Sequence, residues 1–355
     1  MKIASIIGAR PQFIKCAPLT KELRKNHQDL LIHTGQHYDY NMNKVFFDEL
    51  GIPPPEYNLG IGSGSHGYQT GEMLKRIGEI LDQVKPDLVI VYGDTNSTLA
   101  GALAAAKLHI KLAHVESGLR SFDKSMPEEI NRVLTDHCSD WLFCPTRTAV
   151  SNLKNEGIIK GVHFTGDVML DALNSVKVIA ERSKILGDLG LITKSYLLVT
   201  IHRASNTDNP DNLGSISRAL IQLGGLGKRI VFPVHPRTAK SLKSCGLYDD
   251  LKEKVTVIEP LGYLDFLKLL NHSSMVLTDS GGIQKEAYML RVPCVTLREN
   301  TEWVETVEDG WNVLAGVDPA RIVRLAEAFK PSNEQRDVFG KEACKAIAGL
   351  IGAKD

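Results

Sequence analysis

Short runs of β-branched and apolar residues alternate with longer stretches of helical periodicity along the whole chain. The first half predicts strands at 2–7, 30–33, 88–92, 112–115 and 141–143. Helices are expected between them at 18–25, 70–83, 96–108, 127–137 and 148–156. The second half predicts strands at 196–200, 230–233, 255–258, 275–278 and 294–297, separated by helices at 212–223, 263–271 and 283–290. Such alternation reads as parallel sheets wrapped by helices on both faces. Two sheets of about five strands suit 355 residues better than one very large sheet. The break is expected near 171–195, giving two doubly wound domains that face one cleft.

Composition narrows the function. Lys plus Arg number 42 and Asp plus Glu number 42, so the formal charge is zero and lacks the basic surplus of a nucleic-acid binder. The longest apolar stretch, 99–115, is broken by Lys107 and Lys111, so no membrane span is expected. The short apolar run Ile3–Ile7 is not a signal peptide. Six Cys without a CxxC pair read as thiols of a reducing cytoplasm.

Candidate chemistry gathers where predicted strands end. Gly8-Ala9-Arg10-Pro11-Gln12-Phe13-Ile14-Lys15 follows the first strand and sets two cations at a helix entry, suited to an anion or to plain solvation. Gly62-Ser63-Gly64-Ser65-His66-Gly67 spells GxGxxG, yet a poor strand precedes it, so it is expected to be a loop and not a dinucleotide site. Asp94 in Gly93-Asp94-Thr95-Asn96-Ser97-Thr98, Glu116 in His114-Val115-Glu116-Ser117-Gly118-Leu119-Arg120 and Glu128 in Met126-Pro127-Glu128-Glu129-Ile130-Asn131-Arg132 stand at three element ends. Each alone is an ordinary cap or dipole partner; together they suit general acid–base work.

Two strands of the second half end in His202-Arg203 and in His235-Pro236-Arg237. With no HxxxH or Cys/His cluster, a metal site is not expected. Thr278-Asp279-Ser280-Gly281-Gly282-Ile283-Gln284-Lys285-Glu286 joins a strand to a helix through small residues that let a phosphate approach backbone N–H groups.

GARPQFIK, GDTNST, HVESGLRS, MPEEINR, His202-Arg203 and TDSGGIQKEA occur in the order and spacing of one family. The chain resembles the non-hydrolysing UDP-N-acetylglucosamine 2-epimerases over nearly its whole length. The resemblance implies a GT-B architecture with one domain spanning 1–170 plus about 338–355 and a UDP-binding domain spanning 171–337. It implies Asp94, Glu116, Glu128 and His202 as catalytic. It also implies Arg10 and Lys15 facing the sugar nucleotide, His235 near the phosphates, Phe266 at the uracil, Ser280, Gly281 and Gly282 at the diphosphate and Glu286 at the ribose. The implied partners are a UDP-amino sugar and a second copy of the chain in a homodimer, with no metal and no redox cofactor.

The family's route to an unactivated C2 proton is loss of UDP to a 2-acetamidoglucal followed by re-addition, which calls for acids, bases and cations. Two positions depart from the common pattern: Trp303 stands where many members have Arg, and Lys285 where many have an acid. This combination is more similar to the branch acting on UDP-2,3-diacetamido-2,3-dideoxy-glucuronate, for whose acidic sugar Lys285 would be a suitable cation. Gln36-His37 is present, but Tyr38-Asp39-Tyr40 after it departs from the polar pattern of members activated by their own substrate. A GT-B glycosyltransferase, a hydrolysing epimerase and a sugar-nucleotide sensor are the competing readings.

Overall fold

The computed structural model describes residues 1–36 and 51–353; Tyr38-Asp39-Tyr40, read above against substrate activation, lies outside them. The chain divides into two compact units, Met1–Val176 with Asp337–Asp355, and Lys177–Arg336.

Among the described residues the first unit carries seven parallel strands. They are β1 (Lys2–Ile7), β2 (Gln28–His33), β3 (Tyr57–Asn58), β4 (Leu88–Tyr92), β5 (Lys111–Val115), β6 (Trp141–Cys144) and β7 (Val162–Phe164). Their order is β3-β2-β1-β4-β5-β6-β7, with Ile3 opposite Leu88 and Ala4 opposite Leu30. The second unit repeats the plan with β8 (Tyr196–Thr200), β9 (Arg229–Pro233), β10 (Thr256–Ile258), β11 (Met275–Thr278), β12 (Cys294–Thr296) and β13 (Asn312–Leu314), ordered β10-β9-β8-β11-β12-β13.

The expectation of about five strands per sheet is corrected to seven and six. The unforeseen β3, β7 and β13 are only two or three residues long, too short to show a period. In each sheet the chain winds outward in both directions from a central pair, β1–β4 or β8–β11. Loops at the carboxyl ends of such a pair are where ligands of this fold class sit.

Burial explains the central strands: all five residues of β4 are buried on both faces, as a continuous apolar run requires in a parallel sheet. The helix after β1 runs Arg10–Leu23, eight residues earlier than the start expected at Pro18. Pro11 fits its first turn, while Pro18 costs one interior hydrogen bond. Burial of Phe13, Ile14, Cys16, Leu19 and Leu23 outweighs that cost. The C-terminal helix Ala343–Gly352 packs on Arg10–Leu23, and the Cys344 N–H donates to Asp171 Oδ2 at 2.7 Å. No helix among the described residues is long and apolar enough to cross a membrane.

Candidate functional site

The turn after β1 is held by a side chain that sequence reasoning passed over. Gln12 Oε1 accepts from the N–H of Gly8 (2.8 Å) and of Ala9 (3.0 Å). Its Nε2 donates to Tyr92 O and Thr98 Oγ1, both at 3.0 Å, tying this turn to the one after β4. The Gly8 and Ala9 amides of this turn are thus satisfied within the chain. Gly8 is required by proximity: a Cβ there would lie 1.9 Å from Thr34 Oγ1 and 2.3 Å from Ser97 Oγ.

Asp94 follows β4 and is partly exposed. Its Oδ2 accepts from the Arg132 guanidinium, and its backbone O accepts from Asn131 Nδ2 at 2.9 Å. Arg132 is 1% exposed and also reaches Glu129 Oε2 at 3.1 Å. Glu129 in turn receives the Ser121 and Phe122 N–H groups, both at 2.9 Å. Of the two neighbouring acids, Glu129 is therefore committed to the loop before its helix, Pro127–Cys138. Glu128 is half-buried and makes no hydrogen bond or ion pair among the described residues. It lies three and four residues before Asn131 and Arg132, on the helix face that meets Asp94.

Glu116 follows β5, is buried, and forms an ion pair with Lys15, itself buried. Its φ of 74° lies in the left-handed region, at a cost of about 1–2 kcal/mol for a residue with a Cβ. The N–H groups of Glu116 and Ser117 both donate to Phe143 O at 3.1 Å, holding the turn in place. Lys15, expected to face substrate, is spent largely on Glu116.

Beneath these residues lies a buried polar chain. His114 Nδ1 is 2.7 Å from Asp136 Oδ1, and its Nε2 is 2.7 Å from Gly93 O. Asp136 Oδ2 accepts from the Gly118 N–H at 3.1 Å and from Arg120 at 2.7 Å. Arg120 continues to both oxygens of Glu156 at 2.7 and 2.6 Å. Burial alone would raise the Asp136 carboxyl, but His114 and Arg120 outweigh it and hold it below the usual carboxylate range.

In the second unit, fully buried Asp279 at the end of β11 accepts from the N–H of His202 and of Arg203, both at 3.1 Å, and from Asn206 Nδ2 at 3.0 Å. It thereby fixes the turn after β8, leaving the His202 ring exposed with Nδ1 3.7 Å from Asp279 Oδ1. Ser280 caps the helix Gly281–Met289, whose first amides have no carbonyl one turn back. A Cβ on Gly281 would lie 2.0 Å from Glu302 Oε1, and Glu302 is held by Arg298 at 3.0 Å. Gly282 is exposed. Glu286 is buried and accepts from Tyr263 OH at 3.0 Å. Phe266 is buried one turn after Tyr263 in the helix Tyr263–His272. His235, after β9, is exposed and caps the helix Pro236–Ser244, its Nδ1 accepting from the Arg237 N–H at 3.2 Å.

Lys285 differs from expectation: it is 1% exposed and lies over the Trp303 ring, 4.4 Å from its centroid. The two departures from the family pattern are thus partners of each other. The GxGxxG segment has only the two-residue β3 before it, and Ser65 caps the helix His66–Val84.

The expected residues of the first unit (Arg10, Lys15, Asp94, Glu116 and Glu128) stand on the loops and helix starts after β1, β4 and β5. Those of the second stand after β8, β9 and β11, with Phe266 on a neighbouring helix. Sequence reasoning missed Gln12, Arg132, His114, Asp136 and Asp279 as the groups that hold them. For Arg132 a signal existed: it falls four residues after Glu128 in a motif already singled out.

The family profile described as UDP-N-acetylglucosamine 2-epimerase matches residues 21–351. A UDP-N-acetylglucosamine 2-epimerase homolog of Methanococcus maripaludis is 59% identical over 338 residues, 94% of each chain. A UDP-2,3-diacetamido-2,3-dideoxy-D-glucuronate 2-epimerase of Pseudomonas aeruginosa is 50% identical over 360 residues, 99% of each. The crystal structure of Methanocaldococcus jannaschii UDP-GlcNAc 2-epimerase in complex with UDP-GlcNAc and UDP matches with a TM-score of 0.94 at 46% identity, covering 99% of both chains. The fold is GT-B, built from two Rossmann-like units. With that match running almost end to end, the chain belongs to the UDP-N-acetylglucosamine 2-epimerase family.

Proposed function

We propose that the chain inverts C2 of a UDP-2-acetamido sugar of the UDP-N-acetylglucosamine to UDP-N-acetylmannosamine type, retaining UDP in the product. What supports this is the set of Asp94 and Glu116 on the turns after β4 and β5 and Glu128 at the start of the helix Pro127–Cys138, with Asp94 paired to Arg132 and Glu116 to Lys15. A glycosyltransferase needs one base, and a sensor needs none.

In the proposed reaction a carboxylate takes the C2 proton, the C1–O bond breaks with its electrons leaving on UDP, and C1=C2 forms. UDP then adds back to C1 while a second acid returns a proton to the opposite face of C2. Asp94, Glu116 and Glu128 form the acid–base set, with His202 as the fourth catalytic group. Arg10 and His235 balance the charge of departing UDP, and Lys15 holds Glu116. Ser280 and the amides of Gly281 and Gly282 receive the diphosphate, Glu286 the ribose and Phe266 the uracil. No hydride is stored, so the route needs no redox cofactor; nor does it need a metal. The acid–base domain is read as 1–170 plus about 338–355, and the UDP domain as 171–337.

A second reading, the same chemistry on the diacetamido-glucuronate, is supported by 50% identity to an enzyme of that name. The proposal extends to a cytoplasmic homodimer; exposed Ile130 and Leu134, one turn apart on one helix, favour an apolar contact.

Proton NMR in D2O, with each sugar nucleotide offered separately, tests the reading. Deuterium at C2 of an epimerised, still UDP-linked sugar supports it, and the faster compound names the substrate. Free UDP with a released mannosamine would replace it by the hydrolysing reaction. UDP binding with no exchange would replace it by a transferase or a sensor.

A further inference from the structure

The His114–Asp136 pair is the most enclosed polar group near the carboxylates, with both side chains fully buried, so neither touches a substrate. Its connections are specific. His114 lies on β5, two residues before Glu116. Its Nε2 meets the carbonyl of Gly93, the residue before Asp94, at 2.7 Å. Its Nδ1 meets Asp136, which lies on the helix that Glu128 opens, also at 2.7 Å. One imidazole therefore joins the three elements that carry the three carboxylates. Asp136 adds a fourth tie by accepting the Gly118 N–H, two residues after Glu116.

From this geometry, and resting on the acid–base reading above, we infer that His114 and Asp136 are positioning residues that hold Asp94, Glu116 and Glu128 in register for proton transfer at C2. Each ring nitrogen lies 2.7 Å from an oxygen, Asp136 Oδ1 on one side and the Gly93 carbonyl on the other. A single amide nitrogen can keep only one of those two contacts. Displacing a proton-transfer group by about 1 Å costs about 100-fold in rate, and the strut guards against such drift.

Two substitutions separate the arms. His114→Asn sets its amide nitrogen near the Nδ1 position, keeping Asp136 and cutting the Gly93 arm. His114→Gln sets its nitrogen near Nε2, keeping Gly93 and weakening the Asp136 arm. Each is compared with wild type for kcat and KM of C2 epimerisation, UDP affinity, cooperative thermal unfolding and amide hydrogen exchange. The expected result is a kcat loss of about 100-fold in His114→Asn and a clearly smaller one in His114→Gln, with KM and UDP affinity within about twofold. Exchange should quicken at 93–95 and 116–118 in His114→Asn. Equal losses in the two variants, or losses that only track the folded fraction, would overturn the inference while leaving the epimerase reading intact. If wild type itself shows no C2 exchange, that reading fails alone. Hydrogen exchange then still decides: unchanged protection at 93–95 and 116–118 in folded His114→Asn would overturn the strut.

Discussion

The loops after β1, β4 and β5 in the first unit and the loop after β11 in the second are built on opposite plans. After β1, β4 and β5 the loops are knotted by long polar side chains: Gln12, Arg132, Lys15 and His114 each bond to a neighbouring element. After β11 the loop is built of Ser280, Gly281 and Gly282, with room at Gly281 only for hydrogen. Charge is handled differently as well. The first unit pairs Asp94 and Glu116 with cations directly at the loops, whereas the second buries Lys285 against an indole behind its turn. The contrast teaches what each plan suits. Proton transfer needs groups fixed to a fraction of an ångström, while a phosphate needs backbone N–H groups with nothing in front of them.

The largest test of this contrast lies in the first unit. Glu116→Gln should lower kcat about 1,000-fold while UDP affinity, measured by calorimetry, stays close to wild type. A parallel loss of UDP affinity would break the division between the two plans. Next in size, Gly281→Val drives a side chain onto Glu302, since even a Cβ there would lie 2.0 Å from Oε1. UDP should then bind about tenfold or more weakly, and KM should rise more than kcat falls. Unchanged UDP affinity would remove the diphosphate from this turn.

A smaller effect belongs to Lys285→Met. Losing the contact with Trp303 should cost about 1–2 kcal/mol of stability in a denaturant titration, with KM unchanged for either sugar nucleotide. A raised KM for the glucuronate compound alone would return Lys285 to the substrate. The smallest concerns the second unit's surface. Burial pushes the Glu181 carboxyl up, but hydrogen bonds from Lys268, His272 and Asn271 outweigh it and bring it down from 4.5 to about 2. A depressed carboxyl stabilises the fold above its unfolded value and ceases to do so as pH falls through its folded value. Stability should therefore decline between pH 4.5 and about 2, and less steeply in Glu181→Gln. Because the carboxylate is 38% exposed, solvent screening keeps this contribution small. Identical acid profiles would remove it.

Legibility follows the same divide. Central strands such as Leu88–Tyr92 and Tyr196–Thr200 were read to the residue because continuous burial leaves a continuous apolar run. The places of Asp94, Glu116 and the Ser-Gly-Gly turn just after strands were also legible, since they are local to the chain. Their supports were not. Gln12 and Tyr92 are 80 residues apart, His114 and Asp136 22, and His202 and Asp279 77, and no spacing rule connects them before the sheet forms. Pro18 misled in a different way: its local cost was visible, but the burial that outweighs it was not. Lys285 shows a third limit, because a cation that looks available for a ligand was matched to an aromatic ring 18 residues away.

The central proposal is that the proton-transferring carboxylates belong to the first unit and the diphosphate turn to the second. Asp94→Asn tests it most directly, with C2 deuterium exchange and UDP affinity measured on one preparation. The account predicts that exchange falls about 1,000-fold while UDP binds as it does to wild type. Loss of UDP binding together with exchange, in a variant that still unfolds cooperatively, would contradict it.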